Sequence, residues 1–224
     1  MIKNLLPILA LMLVCMPQSI RAQAREVALS LYAFEYAKGH ETIYILNKKG
    51  QGEAIRLSNA NVLGPFKSVI NEGGRVALCR KEVDEDGIVQ YPILTTVKVP
   101  TRVQEPLLVL FPVEGESAYN ALVLDRAVAN FPYGSYKLIN ASPYPVRGLV
   151  GKTKVFATSK KVTSFQPSFN GKLLDVHFQY KQAPEWKTFG RTRWVEERRQ
   201  SLLCAYQDPR TKRMKIRGLV LRRQ

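Results

Sequence analysis

Apolar and polar positions alternate with period two along most of this chain. Nowhere do apolar residues recur at the spacing of an amphipathic helix for three turns. The alternation is clean from Leu173 to Tyr180, where Leu174, Val176, Phe178 and Tyr180 fall on one side and Asp175, His177 and Gln179 on the other. Val89 to Val99 reads the same way. Val89, Tyr91, Ile93, Val97 and Val99 share a face, and Pro92 pushes that strand toward a sheet edge or a strand start. Further strands are expected at Val27–Tyr36, Thr42–Leu46, Glu53–Leu57, Arg75–Arg80, Pro106–Val113, Tyr119–Leu124, Ser135–Ile139, Val146–Val150, Lys154–Ala157, Val162–Phe165, Ser201–Tyr206 and Arg213–Leu221. Turn chemistry separates them. Asp84-Glu85-Asp86-Gly87 closes one hairpin, Asp208-Pro209-Arg210-Thr211 suits a type I turn, and the stretch from Gly148 to Thr153 reads as a hairpin turn. Short strands with turn signals about every 8–12 residues imply a β-sandwich.

The expected fold class is therefore all-β, with one or two antiparallel, immunoglobulin-like sandwich lobes. The length of 224 residues fits either arrangement. A faint internal echo favours two. Tyr44-Ile45-Leu46-Asn47, followed by Arg56-Leu57, resembles Tyr136-Lys137-Leu138-Ile139-Asn140, followed by Arg147-Gly148-Leu149. The expected divisions are residues 1–24, 25–120 and 121–224, with the break between lobes near residues 114–130.

Residues 1–24 have the form of a secretory signal peptide. Lys3 supplies the positive end, Leu5 to Val14 the apolar run, and Ala22-Gln23-Ala24 the small-residue cleavage pattern. The apolar run is about half the roughly 20 residues needed to span a bilayer. Cleavage after Ala24 is expected, and with it a secreted or periplasmic location. Cys15 opens a lipoprotein alternative, which Val14 fits poorly. Cys79 and Cys204 would remain in an oxidising compartment, enough for one disulfide. Two separate buried thiols are the alternative.

Charge is segregated along the chain. Residues 25–130 carry 12 basic and 13 acidic side chains, whereas residues 131–224 carry 20 and 5. Like charges gathered on one lobe repel one another and attract polyanions. The most suggestive stretch is Trp186 to Arg199. There Trp186, Phe189 and Trp194 interleave with Lys187, Arg191, Arg193, Arg198 and Arg199. Cations beside aromatic rings suit stacking, by Trp186 and Trp194, together with contacts to carboxylate or phosphate. Arg210, Lys212, Arg213, Lys215 and Arg217 extend the basic set, followed by Arg222 and Arg223. The plain alternative is a strand pair with core aromatics and a solvated basic rim.

Catalytic signatures are missing. There is no nucleophile elbow, metalloprotease helix motif, dinucleotide fingerprint or phosphate loop. Gly151-Lys152-Thr153 has a Walker-like ending, but the preceding glycine, Gly148, is too close. Asp175 and His177 share an outward face with no third group tied to them by spacing, and His40 lies in a turn. Glu82, Asp84, Glu85 and Asp86 form an acidic loop better read as a solubilising hairpin tip than as a calcium site. Asn140-Ala141-Ser142 matches a glycosylation acceptor. No metal, cofactor or nucleotide is expected, the balance leans away from an enzyme, and the oligomeric state is open.

From Tyr136 to Gly151 an aromatic-containing strand ends in Asn140, Ser142-Pro143 follows, and then comes a short Val/Gly strand. Over about residues 131–165 this resembles bacterial secreted immunoglobulin-like proteins of unknown function. The resemblance implies a sandwich and carries no activity. The expected function is a non-catalytic envelope protein whose basic C-terminal lobe docks on an anionic partner: an envelope polymer, lipid headgroups at a membrane surface, or an acidic protein. The alternatives are a secreted polysaccharide hydrolase using carboxylates such as Asp175, Glu185, Glu196, Glu197 and Asp208, or a structural module of a surface or secretion assembly.

Overall fold

Two runs, Leu107–Phe111 and Leu202–Tyr206, are apolar at successive positions instead of alternate ones. A strand reads that way when both of its faces are covered. The structure, a computed structural model, describes residues 25–169, 173–195 and 198–221, and both runs are central strands with apolar layers on each side. Residues 1–24, which hold the expected signal peptide and Cys15, together with Glu196, Glu197, Arg222 and Arg223, lie outside the described residues.

The first lobe contains β1 (Arg25–Ala33), β2 (Thr42–Leu46), β3 (Gly52–Arg56), β4 (Leu63–Ile70), β5 (Arg75–Cys79), the short pair β6 (Glu82–Val83) and β7 (Val89–Gln90), β8 (Ile93–Lys98), β9 (Pro106–Pro112) and β10 (Tyr119–Asp125). The second contains β11 (Tyr136–Asn140), β12 (Val146–Val150), β13 (Thr153–Ala157), β14 (Val162–Phe165), β15 (Leu174–Gln182), β16 (Glu185–Trp194), β17 (Gln200–Gln207) and β18 (Met214–Leu221). Among the described residues there is no helix.

Sheet order reveals a duplication. The first lobe has β10-β9-β1-β4 facing β3-β2-β5-β8, and the second has β18-β17-β11-β14 facing β13-β12-β15-β16. Strand for strand the two are the same. Each lobe is a sandwich, and each contains one parallel pair: Ser30–Ala33 beside Leu107–Leu110, and Tyr136–Asn140 beside Ser201–Ala205. All other ladders are antiparallel. The first strand of each lobe therefore pairs with the fourth and with the penultimate strand. In the immunoglobulin constant layout it pairs with the second. β10 belongs to the first lobe, so the crossover runs through residues 126–135 and not at the expected 120/121 boundary.

Three apolar layers result. Leu29, Leu31, Ile43, Ile45, Leu78 and Leu108 fill the first sandwich. Leu138, Val146, Val176, Phe178 and Leu203 fill the second. The third layer lies between the lobes, where Tyr32, Phe34, Leu107 and Val109 meet Ile139, Leu202, Cys204 and Leu221. Successive residues of β9 and β17 thus serve different layers, which explains their unbroken apolar runs. Polar bonds ring this middle layer. Arg126 Nη1 donates to Ser30 Oγ at 2.9 Å, and Gln200 Nε2 donates to the carbonyls of Arg126 and Phe131. Lys137 Nζ lies 4.8 Å from the centroid of the Phe131 ring.

Several expectations change. Cys79 and Cys204 are both free and buried. Their strands belong to different lobes, Cys79 on an outer sheet and Cys204 in the middle layer, so no disulfide joins them. Burial raises the pKa of both thiols, that of Cys204 to about 12. Ile93 is 63% exposed although Val97 and Val99 face the core. A register shift between Leu78 and Cys79 breaks the alternation there. β4 escapes the sequence pattern because Gly64 and Pro65 stand near its start; as an edge strand it tolerates the proline. The glycosylation motif is structural, since Asn140 is 0% exposed. Its Nδ2 donates to the carbonyls of Tyr144 and Ala157, and its Oδ1 accepts from Ser142 N and Oγ. Asp84 Oδ1 accepts from the amides of Asp86 and Ile88, so the acidic loop is a capped turn.

Candidate functional site

The outer face of the sheet β13-β12-β15-β16 gathers the cations and rings most suited to binding. It is built by the hairpin of β12 and β13, turned at Gly151-Lys152, and the hairpin of β15 and β16. The backbone register sets outward side chains in rows. One row runs Lys154, Leu149, His177, Arg191 across four strands. The next runs Phe156, Arg147, Gln179, Thr188, and beyond it Lys181 stands beside Trp186. Beneath them Gly148 faces inward, where a Cβ would meet the Phe178 ring at 2.4 Å, so the strand admits no side chain there. Its ladder partner is Phe178, whose ring takes the space.

A β-bulge creates this face. The β15–β16 register shifts between Phe178 and Gln179, leaving Phe189 as the extra residue. Trp186 and Thr188 precede the shift, and Arg191 and Arg193 follow it. Simple alternation would place Trp186 opposite Arg191 and on the same side as Trp194. The bulge reverses that. Trp186 joins Arg191 and Arg193 outside, while Trp194 turns into the core and stacks on Tyr136 with centroids 5.1 Å apart.

The contacts on the face are specific. The Arg147 guanidinium lies 4.2 Å from the centroid of the Trp186 ring, and its Nε donates to Gln179 Oε1 at 2.8 Å. Trp186 meets Phe156 edge to face at 6.5 Å. Phe156 is 52% exposed and Leu149 42%. His177 Nε2 is 2.8 Å from Thr188 Oγ1. Asp175 pairs across the strands with Arg193 Nε at 3.0 Å, so it does not orient His177. The rows themselves contain no acidic side chain; Asp175 borders them. A shallow concavity of about 470 Å³ lies among Arg147, Leu149, Lys154, Phe156, His177 and Gln179. Lys154 and Arg191, three strand spacings apart, span about 14 Å. That separation suits an extended polyanion better than a single small anion.

The other basic residues singled out from sequence lie elsewhere. Lys187 is exposed and donates from Nζ to Gln182 Oε1 at 3.0 Å near the β15–β16 turn. Arg198 and Arg199 are exposed on the connection from β16 to β17. Arg210, Lys212 and Arg213 occupy the β17–β18 turn on the lobe's other sheet. Lys215 pairs there with Asp208 at 2.5 Å. Asp208 also caps its turn by accepting from the amides of Arg210 and Thr211, and Lys215 and these amides hold its carboxyl well below the usual carboxylate range. Arg217 leaves the binding set altogether. Its guanidinium is committed to the layer between the lobes, over the rings of Phe34 and Tyr206.

Sequence reasoning did not single out Arg147, Leu149, Lys154, Phe156 or Lys181. The first four were accessible in part, because a two-residue turn at Gly151-Lys152 fixes Arg147 opposite Phe156 and Leu149 opposite Lys154. That β12 lies beside β15 was not, since it depends on the sheet order. Of the carboxylates considered for hydrolysis, Asp175 and Asp208 are engaged with cations and Glu185 stands at the β15–β16 turn. No protein-family model matches the chain, and no curated protein matches it.

Proposed function

We propose that this is a secreted, non-catalytic envelope protein whose second lobe docks on an acidic polysaccharide through the outer face of β13-β12-β15-β16. The supporting observation is the setting of Lys154, Arg147, Lys181 and Arg191 around exposed Phe156 and Leu149 and half-buried Trp186, in rows free of carboxylates. A flat face with rings and spaced cations complements a chain of sugar rings bearing carboxylate or sulfate groups. The rings supply stacking and the cations supply charge neutralisation. The N-terminal leader pattern supports an extracytoplasmic location.

Elution from immobilised heparin tests the reading. The wild type is expected to be retained and released by rising salt. The Lys154→Glu, Arg191→Glu variant should elute at distinctly lower salt. A variant with Arg210, Lys212 and Arg213 replaced by Gln should elute close to the wild type. The reading is lost if the wild type is not retained at low ionic strength, or if the Gln variant takes the whole shift. Binding to phosphatidylglycerol vesicles without heparin retention would also overturn it, in favour of a membrane surface.

A further inference from the structure

Between β16 and β18, the neighbouring edge strands of the second lobe's two sheets, runs an apolar slot of about 450 Å³. Its walls are Tyr136, Phe178, Trp194, Leu203, Ile216 and Val220. The two strands run in the same direction. Gly190 lies against Ile216, with 3.4 Å from its ideal Cβ to Ile216 Cγ2. Trp194 stacks on Tyr136, whose ladder partner Ser201 stands opposite Val220. The slot is therefore elongated along the strands. In the first lobe the matching edges, β8 and β10, are tied by Thr95 Oγ1 donating to the Tyr119 carbonyl at 2.6 Å. In the second lobe, glycines stand at inward positions on both edges. A Cβ on Gly218 would meet nothing closer than Leu203 Cδ2 at 3.7 Å, so a side chain there would project into open space.

One end of the slot is polar. Ser201 is 4% exposed, and its Oγ, among the described residues, has no hydrogen-bond partner. A buried hydroxyl left unpaired is costly, and here it borders a cavity. Arg193 borders the slot near the same end, beside Trp194, with its Nε held by Asp175 on the outer side. The opposite end, at Phe178, Gly190 and Ile216, is apolar. Such polarity fits an amphiphile lying lengthwise. We propose that the slot binds the acyl chain of a single-chain anionic lipid, with a head oxygen accepting from Ser201 Oγ and the charged headgroup at Arg193. The slot faces the interior of the sandwich, so this inference stands apart from the polysaccharide reading and shares only its border residue Arg193.

Dodecanoate and dodecanol, each below the concentration at which it aggregates, are the probes. In the Trp186→Phe full chain, Trp194 is the only tryptophan. Its emission should shift to the blue and saturate with both probes. Gly218→Leu should weaken both by about tenfold or more, because the added side chain fills the slot. Ser201→Ala should weaken both by about fivefold, the worth of one hydrogen bond. Arg193→Gln should weaken dodecanoate alone. Circular dichroism melts check that each variant is folded, and Ser201→Ala, which adds no bulk, serves where Gly218→Leu does not fold. Absence of a saturable shift overturns the proposal, as does wild-type affinity in folded Gly218→Leu or in Ser201→Ala. Heparin elution of the Ser201→Ala variant should not change, which separates failure of the slot from failure of the outer face.

Discussion

Arg217 Nη1 donates to the carbonyl oxygen of Phe34 at 2.6 Å, while the same guanidinium lies 4.5 Å from the centroid of the Phe34 ring. One side chain at the end of one lobe thus grips both the backbone and the side chain at the edge of the other. Tyr32 and Tyr206 complete its surroundings. Arg217→Ala is expected to lower unfolding free energy by about 2–3 kcal/mol, through a lost charge-assisted bond and lost stacking. Arg217→Lys should recover less than half, because an ammonium cannot lie flat on the ring. Urea melts measure both. An alanine variant as stable as the wild type would show that the apolar layer alone holds the lobes.

The thiol of Cys204 gives a pH signature. Burial raises its pKa from 9.0 to about 12 in the folded chain. Below pH 9 both states keep the proton and its contribution is complete. Between pH 9 and 12 the unfolded chain releases the proton while the folded chain retains it. Stability then falls as pH rises, by up to about 1.4 kcal/mol per pH unit from this group. Cys79, Tyr32 and Tyr119 are raised as well and act in the same direction. Denaturant melts from pH 8 to 10 should show a shallower decline for Cys204→Ala. Parallel slopes in the two proteins would refute this assignment.

Asn140 is the polar hub of the second lobe, with four side-chain bonds made to buried Ser142 and Ala157 and half-buried Tyr144. Asn140→Ala should cost about 3 kcal/mol. Asn140→Asp should be no milder, because its second oxygen would face the Tyr144 and Ala157 carbonyls without a proton between them. A thermal midpoint unchanged by either substitution would contradict this role.

Ser201→Ala should make the ligand-free protein more stable, by about 1 kcal/mol, since it removes an unpaired buried hydroxyl. Gly218→Val should also be neutral or stabilising, because it fills open space on a strand with a β-favouring side chain. Destabilisation by Ser201→Ala in chemical melts would mean that the hydroxyl already has a partner.

Much of the strand pattern was legible in the sequence. Thr42–Leu46, Val146–Val150 and Val162–Phe165 occur where alternation placed them, and Leu174, Val176, Phe178 and Tyr180 do face inward. What alternation could not supply was phase across irregularities. The bulges at Leu78/Cys79 and Phe178/Gln179 each reverse inside and outside, so Ile93 is exposed and Trp194 packs against the core. The internal echo pointed to a real duplication through the wrong strands. It matched Tyr44 with Tyr136, residues of β2 and β11, whereas the topological counterpart of β11 is β1. The two lobes share a pairing order, which many sequences satisfy. Arg217 illustrates a different gap. Its outward parity on β18 was readable, but not that the first lobe covers that face.

Because the duplicated halves meet back to back, their remaining sheets point away from each other at opposite poles. With about 10 Å between successive sheets, those poles stand roughly 30 Å apart. A molecule seated on β3-β2-β5-β8 would not touch one seated on β13-β12-β15-β16. The chain has the geometry of a spacer, with two unlike outer faces set apart by the full thickness of four stacked sheets.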